Sequence, residues 1–177
     1  MAQIAETITI RKLAIKDIDA IMKNFVNDSV LDKVNQQKKA KELTKKDEMK
    51  WLKSTIKNYS LKKPSEYNLA IIVSKRVVGA IGTHKIDYDN HNAEIGYWLG
   101  EEYWGKGYVT SALKEFIKII EKKFTLTRLT AYVNENNPAS ARVLEKNGFF
   151  YECTRKKSVR KNKGYINDKQ YARVNDG

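Results

Sequence analysis

The sequence predicts an α+β fold in which a mixed, mostly antiparallel central sheet of about seven strands is flanked by helices. Seven short stretches alternate apolar and polar residues or run continuously apolar, as β-strands do, and three of them are joined by short connections. Longer stretches between them carry apolar residues three and four positions apart, the period of an α-helix. With 177 residues, 41% of them hydrophobic, the chain can bury a sizeable core, so we expect a single domain over residues 1–177.

One strand and two helices are predicted in the first third of the chain. Residues 7–13 alternate with period two and indicate a strand, and residues 15–28 carry apolar side chains at helical spacing, so we expect one helix there. A second helix is expected after Thr44, because Thr44 can cap it and Asp47 follows three residues later, as in a capping box. Pro64 lies in the stretch that ends this helix.

The middle of the chain predicts a meander and the most regular helix. Residues 67–73, 77–87 and 92–99 are rich in β-branched and aromatic residues and indicate three antiparallel strands. Residues 109–124 place their apolar residues in one stripe, which is typical of an amphipathic helix. A further strand is expected at residues 128–133.

A short helix and two strands are predicted at the end. Asn137 suits the N-cap of the helix and Pro138 its first position, and Gly148 suits a left-handed residue at its C-terminal end. Residues 149–159 and 166–174 then indicate two strands around the turn KNKG.

The net charge of +13 comes from two segments. Residues 34–63 carry 10 Lys and Arg against 3 Asp and Glu, residues 153–177 carry 8 against 2, and the rest of the chain carries 16 of each sign. Such segments attract polyanions such as nucleic acid, a ribosome or an acidic protein, although a solvated lysine-rich surface explains them equally well.

The sequence lacks the features of a membrane-spanning or secreted protein and of a metal site. It contains no long uncharged apolar run and no basic N-terminal region followed by an apolar one, so we expect a cytoplasmic protein without a membrane span. Cys153 is the only cysteine and is expected to be a small buried residue. His84 and His91 have no metal-ligand partners nearby in sequence, so we expect both to be structural or surface residues and no metal site.

The glycine-rich segment between the third meander strand and the long helix is the strongest local motif. Residues 100–106 match the first seven positions of a nucleotide triphosphatase phosphate loop, but Gly107 stands where Ser or Thr must hold magnesium, and Glu101 and Glu102 would repel phosphates. A dinucleotide fingerprint fails because Thr110 stands where it needs glycine. Both classes are therefore excluded.

What remains is a main-chain anion site. Gly105 and Gly107 let the backbone approach a ligand closely, a helix begins immediately afterwards, and Lys106 adds positive charge. A tight turn that uses glycine only for positive φ is the alternative.

Two motifs taken together resemble the GNAT superfamily of acyl-CoA-dependent N-acyltransferases. They are AEIGYWLGEEYWGKGYVTSAL, from Ala93, and NENNPASARVLEKNGF, which ends at Phe149. Within the superfamily they are similar to the branch that contains the Rim-type ribosomal-protein N-terminal acetyltransferases and the spermidine acetyltransferases. The resemblance implies a GNAT fold whose sheet is splayed where acyl-CoA binds, and acetyl-CoA as co-substrate.

The resemblance also implies which residues bind the cofactor. The family signature Gln/Arg-x-x-Gly-x-Gly/Ala aligns with residues 104–109, and this chain departs from it at Trp104 and Val109. The pyrophosphate would be held by main-chain amides of Gly105, Lys106, Gly107, Tyr108, Val109 and Thr110. The pantetheine arm would lie along Tyr97, Trp98 and Leu99, and Asn137 would contact it.

Acyl transfer to an amine requires a neutral nitrogen, a polarised carbonyl and a proton for the departing thiolate. Glu94 aligns with a glutamate that serves as general base in some GNAT enzymes, although it could instead face solvent or bind the substrate cation. Leu144 stands where many relatives have a tyrosine that protonates the thiolate, and the resemblance to the Rim-type branch implies Ser140 as the proton donor instead. A main-chain N–H near Trp98 or Leu99 would polarise the carbonyl.

The sequence therefore predicts an acetyl-CoA-dependent N-acetyltransferase that acts by direct attack in a ternary complex, with a protein N-terminal α-amine as its acceptor. A polyamine or other small-amine acetyltransferase is the first alternative. A non-catalytic RNA- or ribosome-binding module on a GNAT scaffold is an alternative of another class, motivated by the basic segments and by Trp104, Val109 and Leu144. The expected partners include the ribosome or an acidic protein, with the chain as a monomer or homodimer.

Overall fold

The computed structural model describes residues 7–34, 39–161 and 164–175. Its centre is a seven-stranded sheet of order β1-β2-β3-β4-β5-β7-β6. The strands are β1 Ile8–Lys12, β2 Tyr67–Val73, β3 Arg76–Asp87, β4 Asn92–Leu99, β5 Arg128–Asn134, β6 Phe150–Lys161 and β7 Gly164–Val174. The helices are α1 Ile18–Phe25, α2 Asp28–Lys33, α3 Lys45–Asn58, α4 Tyr108–Phe124 and α5 Pro138–Glu145.

The sheet is mixed and is open in the middle. Neighbouring strands run antiparallel except for β4 and β5, which are parallel. That ladder has three residue pairs, the last joining Glu94 to Thr130, although both strands continue beyond it. The predicted mixed, mostly antiparallel sheet with a splay is therefore confirmed, and the splay begins at Glu94.

Two apolar clusters cover the two faces of the sheet. The larger cluster packs α4 against β2 to β5 and also takes Leu144 of α5, and we call this side the α4 face. The smaller cluster packs α1 and α3 against Ala70, Ile72 and Val77, and we call this side the α1 face. Because successive strand residues point to opposite faces, Ile95 and Leu99 lie on the α4 face, while Glu94 and Gly96 share the α1 face with Trp98.

Most predicted elements are present, but the helix expected over residues 15–28 is interrupted. A 3₁₀ turn at Ile15–Asp17 precedes α1, which ends at Phe25. The backbone then leaves the helical region at Val26, and Asn27 is extended (φ −139°, ψ 129°). Asn27 Oδ1 accepts a hydrogen bond from Ser29 N–H (2.8 Å), so Asn27 caps a separate helix, α2.

Two other expectations have different outcomes. Thr44 caps α3 as predicted, since its hydroxyl accepts from Asp47 N–H (3.2 Å) while the Asp47 carboxylate accepts from Thr44 N–H (3.1 Å). Cys153 was expected to be buried, and this is wrong, because it lies exposed on the edge strand β6. The two central residues of the predicted KNKG turn, 162 and 163, lie outside the described residues.

Within the described ranges, every helix is too short or too polar to span a bilayer.

Candidate active site

The glycine loop joins β4 to α4 through two left-handed residues. After Gly100 and a 3₁₀ turn, Gly105 and Gly107 adopt φ values of 74° and 78°, and α4 begins at the next residue. A Cβ atom built at either glycine would meet no other part of the described structure within 4 Å. The backbone of the loop is thus open to a ligand, and both glycines have the positive φ that other residues rarely adopt.

The start of α4 offers main-chain donors to that open space. The first hydrogen bond of the helix runs from Ser111 N–H to Gly107 C=O (3.1 Å), so the N–H groups of residues 108–110 precede the regular ladder. The cap residue, Gly107, has no side chain that could accept from them. Together with the positive end of the helix dipole, these groups fit a diphosphate.

The charged side chains of the loop are arranged consistently with an anion site. Lys106 is exposed, with its ammonium 5.9 Å from the ring centres of both Tyr103 and Tyr108. The two glutamates lie towards α1 and α2, because Glu102 pairs with Lys23 (3.7 Å) and Glu101 accepts from Asn27 (3.4 Å). Both carboxylates therefore interact with Lys23 and Asn27 and not with Lys106.

The two departures from the family signature are accommodated. The Trp104 indole N–H donates to the carbonyl of Leu99 (2.7 Å), which ties the loop to the end of β4. Val109 is half-buried and packs against the apolar cluster of the α4 face, so α4 begins regularly with this β-branched residue.

Beyond the splay, one edge of β4 presents its main-chain groups to the opening. Gly100 N–H donates to Val78 C=O of β3 (2.9 Å), and main-chain groups alternate in direction along a strand. Those of Tyr97 and Leu99 therefore face the opening, while those of Trp98 face β3. The Trp98 ring packs on Phe25 at 4.9 Å between ring centres. Of the three residues predicted along the pantetheine arm, Tyr97 is thus placed to hydrogen-bond a ligand through its main chain, and Leu99 through its N–H, since its carbonyl accepts from Trp104.

Tyr97 and Ser140 meet across the opening. The Tyr97 hydroxyl lies 2.8 Å from Ser140 Oγ and 3.1 Å from Ser140 C=O. Burial raises the pKa of Tyr97 and outweighs the opposing effect of the Ser140 hydrogen bond, so the phenol stays protonated through the physiological range. The sequence marks both residues as site candidates, but no local pattern connects them.

Asn137 caps α5, as expected from its position. Its Oδ1 accepts from Ser140 N–H (3.2 Å) and its Nδ2 donates to Lys33 C=O at the end of α2 (3.2 Å). Leu144 is fully buried in the apolar cluster of the α4 face, so this position of α5 is a core position.

Glu94 lies where the splay begins, on the α1 face. It pairs in register with His84 of β3 and with Thr130 of β5. Its side chain is 24% exposed, and its Oε2 accepts a hydrogen bond from Lys85 Nζ (3.0 Å). A carboxylate therefore stands at the narrow end of the opening, on the face that α4 leaves free.

His84 lies beside this carboxylate. Its ring rests against Gly96, since a Cβ at Gly96 would come within 3.0 Å of His84 Nε2, and its Nδ1 is 3.5 Å from Glu66 Oε2. His84 is thus a lining residue next to Glu94. His91 lies in a turn, where its Nδ1 is 2.9 Å from Thr125 C=O.

A second polar cluster, which is not predicted from the sequence, lies across the splay on the α1 face. The Arg155 guanidinium stacks on the ring of Tyr132 (3.7 Å to the ring centre) and bonds both carboxylate oxygens of Asp168 (2.8 and 2.5 Å). Burial alone would raise the pKa of Asp168, but hydrogen bonds from Arg155 and Ser158 outweigh it and lower that pKa. Because successive residues of a strand point to opposite faces, the sequence of β5 is enough to predict that Tyr132 lies on this face. The partners of Arg155, in contrast, depend on the pairing of β6 with β7.

The arrangement has two chemically different ends. Main-chain N–H groups that could bind an anion and an unpaired strand edge lie at the wide end of the opening, and a carboxylate lies at the narrow end. This combination suits transfer of a group from a long phosphorylated carrier to a nucleophile that approaches from the α1 face.

The chain belongs to the GNAT family of acyl-CoA-dependent N-acetyltransferases, since the model of the acetyltransferase (GNAT) domain matches residues 7–150. Among curated relatives, an uncharacterised N-acetyltransferase, p20, of Bacillus licheniformis is 27% identical over 145 residues, 81% of this chain and 79% of that protein. A ribosomal-protein-serine acetyltransferase of Escherichia coli (strain K12) is 33% identical over 106 residues, 60% of this chain and 59% of that protein.

Solved structures show the same fold. A ribosomal L7/L12 α-N-protein acetyltransferase in complex with coenzyme A superposes with a TM-score of 0.84, at 22% identity, over 96% of this chain and 95% of that chain. A spermidine N-acetyltransferase of Vibrio cholerae in complex with coenzyme A and spermine has a TM-score of 0.82, at 17% identity, over 94% of this chain and 95% of that chain. The predicted fold, enzyme class and use of acetyl-CoA are confirmed, and the non-catalytic alternative is not supported.

Proposed function

We propose that this enzyme acetylates the α-amine of a protein or peptide N-terminus by direct attack in a ternary complex, with Glu94 as general base. The observation that carries the proposal is the position of Glu94 at the fork of β4 and β5, facing the side that α4 leaves free. Acetyl-CoA supplies the acetyl group as a thioester.

The choice of an α-amine follows from the free energy of deprotonation. At pH 7, removing a proton from an amine of pKa about 7.7 to 8.0 costs about 1 kcal/mol, whereas a lysine amine of pKa about 10.4 costs about 4 to 5 kcal/mol. Glu94 already accepts a hydrogen bond from Lys85, and Arg155 lies on the same face. These cations disfavour a polyamine at Glu94 and leave a singly charged or neutral amine as the better acceptor.

A main-chain donor polarises the acyl carbonyl in this proposal. Of the two residues considered from the sequence, Leu99 has its N–H directed to the opening, while the N–H of Trp98 is directed to β3. The N–H of Leu99 is therefore the assigned donor.

Ser140 is proposed to donate its hydroxyl proton to the sulfur as the C–S bond breaks and to regain a proton from solvent, while Tyr97 positions its hydroxyl. If Tyr97 donates to the Ser140 carbonyl, the Ser140 hydroxyl can donate to Tyr97. If Tyr97 instead donates to Ser140 Oγ (2.8 Å), the Ser140 hydrogen is free for the sulfur. Tyr97 thus acts through Ser140 as a positioning residue.

Ser140→Ala is expected to lower kcat about 10-fold, because a thiolate of pKa near 8.5 can leave without full protonation. Tyr97→Phe is expected to lower kcat by a smaller factor, and the double variant to be no slower than Ser140→Ala. Steady-state kinetics on the three variants test this. Independent, multiplying effects of the two substitutions would contradict a shared role, and unchanged kinetics in Ser140→Ala would remove Ser140 from the mechanism.

The N-terminal acceptor is also supported by the ribosomal-protein-serine acetyltransferase among the relatives. The excess basic charge of residues 34–63 and 153–177 would attract acidic proteins or ribosomal surfaces. We propose a cytoplasmic setting for such substrates.

An acceptor assay tests the function. Purified enzyme and labelled acetyl-CoA are incubated with peptides that have free N-termini, with the same peptides acetylated at the N-terminus but containing lysine, and with spermidine. We expect turnover of the free N-termini only. Turnover of spermidine with inert peptides would establish the polyamine alternative, and turnover of the blocked, lysine-containing peptides would establish a lysine acetyltransferase.

A further inference from the structure

The cluster around Arg155 faces the place where the acceptor must enter. Thr130 pairs with Glu94, and Tyr132, two residues further along β5, lies on the same face beyond the splay. The guanidinium of Arg155 stacks on the Tyr132 ring. On β4, the next residue on this face after Glu94 is Gly96, and the His84 ring rests against it.

Arg155 is held rigidly but keeps unused donors. Asp168, which has no exposed surface, takes the Nε and one Nη2 hydrogen of Arg155, and Ser158 Oγ donates to Asp168 as well (2.8 Å). Two of the five N–H groups of a guanidinium are thereby used. The side chain of Arg155 is 39% exposed, so the remaining donors are accessible on the α1 face.

Arg155 is also electrostatically close to Glu94. Hydrogen bonding to Asp168 raises the pKa of Arg155 against the effect of burial, and the charge of Glu94 is among the smaller contributions that raise it. A molecule that presents a cation to Glu94 and an oxygen acceptor to Arg155 would match both charges.

Asn134 provides an independent sign of an incomplete polar site. It lies in one cross-strand row with Asp168 and Arg155. Its side chain is buried, and neither amide atom has a hydrogen-bond partner within the described residues. Because buried amides are almost always satisfied, this row holds hydrogen-bonding capacity that the described residues leave unused.

We propose that Arg155 binds a carbonyl or carboxylate oxygen of the acceptor whose amine is at Glu94. This inference rests on the proposed function and narrows it to amines that carry a carbonyl or acidic group within a few bonds, as a peptide N-terminus does. A planar, pre-positioned guanidinium suits such oxygens because it can donate two parallel hydrogen bonds.

The test compares Arg155→Lys with Arg128→Lys. Arg128 lies on the same face before the splay, is similarly exposed (35%) and bonds the Glu152 carboxylate (2.7 and 2.6 Å), so it controls for the loss of a surface guanidinium. The acceptors are three peptide amides with Ala, Asp or Lys at the second position, and an aliphatic amine without a carbonyl group. The Arg155→Lys substitution keeps a positive charge next to the buried carboxylate of Asp168.

Arg155→Lys is expected to raise KM for the peptides about 10-fold while leaving kcat and the KM for the aliphatic amine nearly unchanged. Arg128→Lys should leave kcat and the KM values for the peptides and for the aliphatic amine unchanged. If the oxygen is a side-chain carboxylate, the wild-type preference for Asp over Lys disappears in Arg155→Lys; if it is a main-chain carbonyl, all three peptides weaken equally.

Equal effects on every acceptor, together with a lower Tm, would show that Arg155 only neutralises Asp168 and would overturn the inference. Peptide kinetics that Arg155→Lys leaves unchanged would overturn it while the proposed function stands. A wild-type enzyme that acetylates the aliphatic amine and no peptide would overturn both.

Discussion

Replacing Glu94 by glutamine is expected to lower kcat/KM for a peptide acceptor about 100-fold at pH 7. Glutamine keeps the size of the side chain and its place at the fork but cannot accept a proton. Because an α-amine has a pKa of about 7.7 to 8.0, raising the pH deprotonates it in solution and partly replaces the missing base. The variant should therefore recover activity as pH rises from 7 to 9, whereas the wild type changes less, and a pH series of kcat/KM measures this.

Glu152→Gln is the matched control for Glu94→Gln. Glu152 is also 24% exposed, and like Glu94 it is ion-paired with a basic side chain, in this case Arg128. It lies on β6, away from the fork. Equal losses in the two variants would indicate a general electrostatic or stability effect, and a loss in Glu94→Gln that is independent of pH would argue for a binding role.

Replacing Gly107 by alanine is expected to raise KM for acetyl-CoA by about 10- to 100-fold, because hydrogen bonds to a charged phosphate contribute about 1.5 to 3 kcal/mol each. The added Cβ would project into the open space above the start of α4, and the φ of 78° would become unfavourable. The N–H groups of residues 108–110 would then be harder to reach. Titration calorimetry with coenzyme A and the KM for acetyl-CoA both measure the effect.

Gly148→Ala separates the loss of binding from backbone strain. Gly148 follows α5 with a φ of 80°, and its nearest neighbour for a new Cβ is Arg173 Nε at 3.7 Å. Gly148→Ala therefore causes a similar strain, about 1 kcal/mol, outside the loop, in a turn whose Asn147 donates to Thr110 C=O of α4 (3.2 Å). Both variants should lower Tm by similar amounts, and only Gly107→Ala should weaken coenzyme A binding. If Gly107→Ala and Gly148→Ala bound coenzyme A equally well, the glycine loop would not be part of the cofactor site.

The parts of the fold that could be predicted are those with local signals. Strands at residues 67–73 and 92–99 have the bounds expected from their composition, because a strand buried on both faces is almost continuously apolar, here except for Asn68, and a half-buried one alternates. The division between α1 and α2 was missed, although Asn27 is a good cap, because the apolar spacing continues to Phe25 and Val26 and suggested one longer helix.

The candidate site likewise has one part that could be predicted from the sequence and another that depends on tertiary packing. The glycine loop and Glu94 lie in one continuous segment, so their proximity follows from the sequence. The contact of Tyr97 with Ser140 joins residues 43 positions apart, and it depends on how α5 packs beside the opening.

The position of Arg155 depends on an irregular strand pairing. Extending the register of Lys161 with Gly164 would place Lys157 opposite Asp168. A bulge between Arg155 and Val159 shifts the pairing by two residues and places Arg155 there instead. No local pattern in the sequence specifies that bulge, so the cluster beside the proposed acceptor site could be found only in three dimensions.

The three-pair ladder between β4 and β5 has a consequence for the free protein. The molecule is formed by two smaller sheets that share one short seam, and above the seam the edge of β4 is left without a neighbouring strand. We propose that the pantetheine arm of acetyl-CoA lies along that edge, where it would take the place of a missing strand. Binding of the donor would then also raise the free energy of unfolding of the whole molecule.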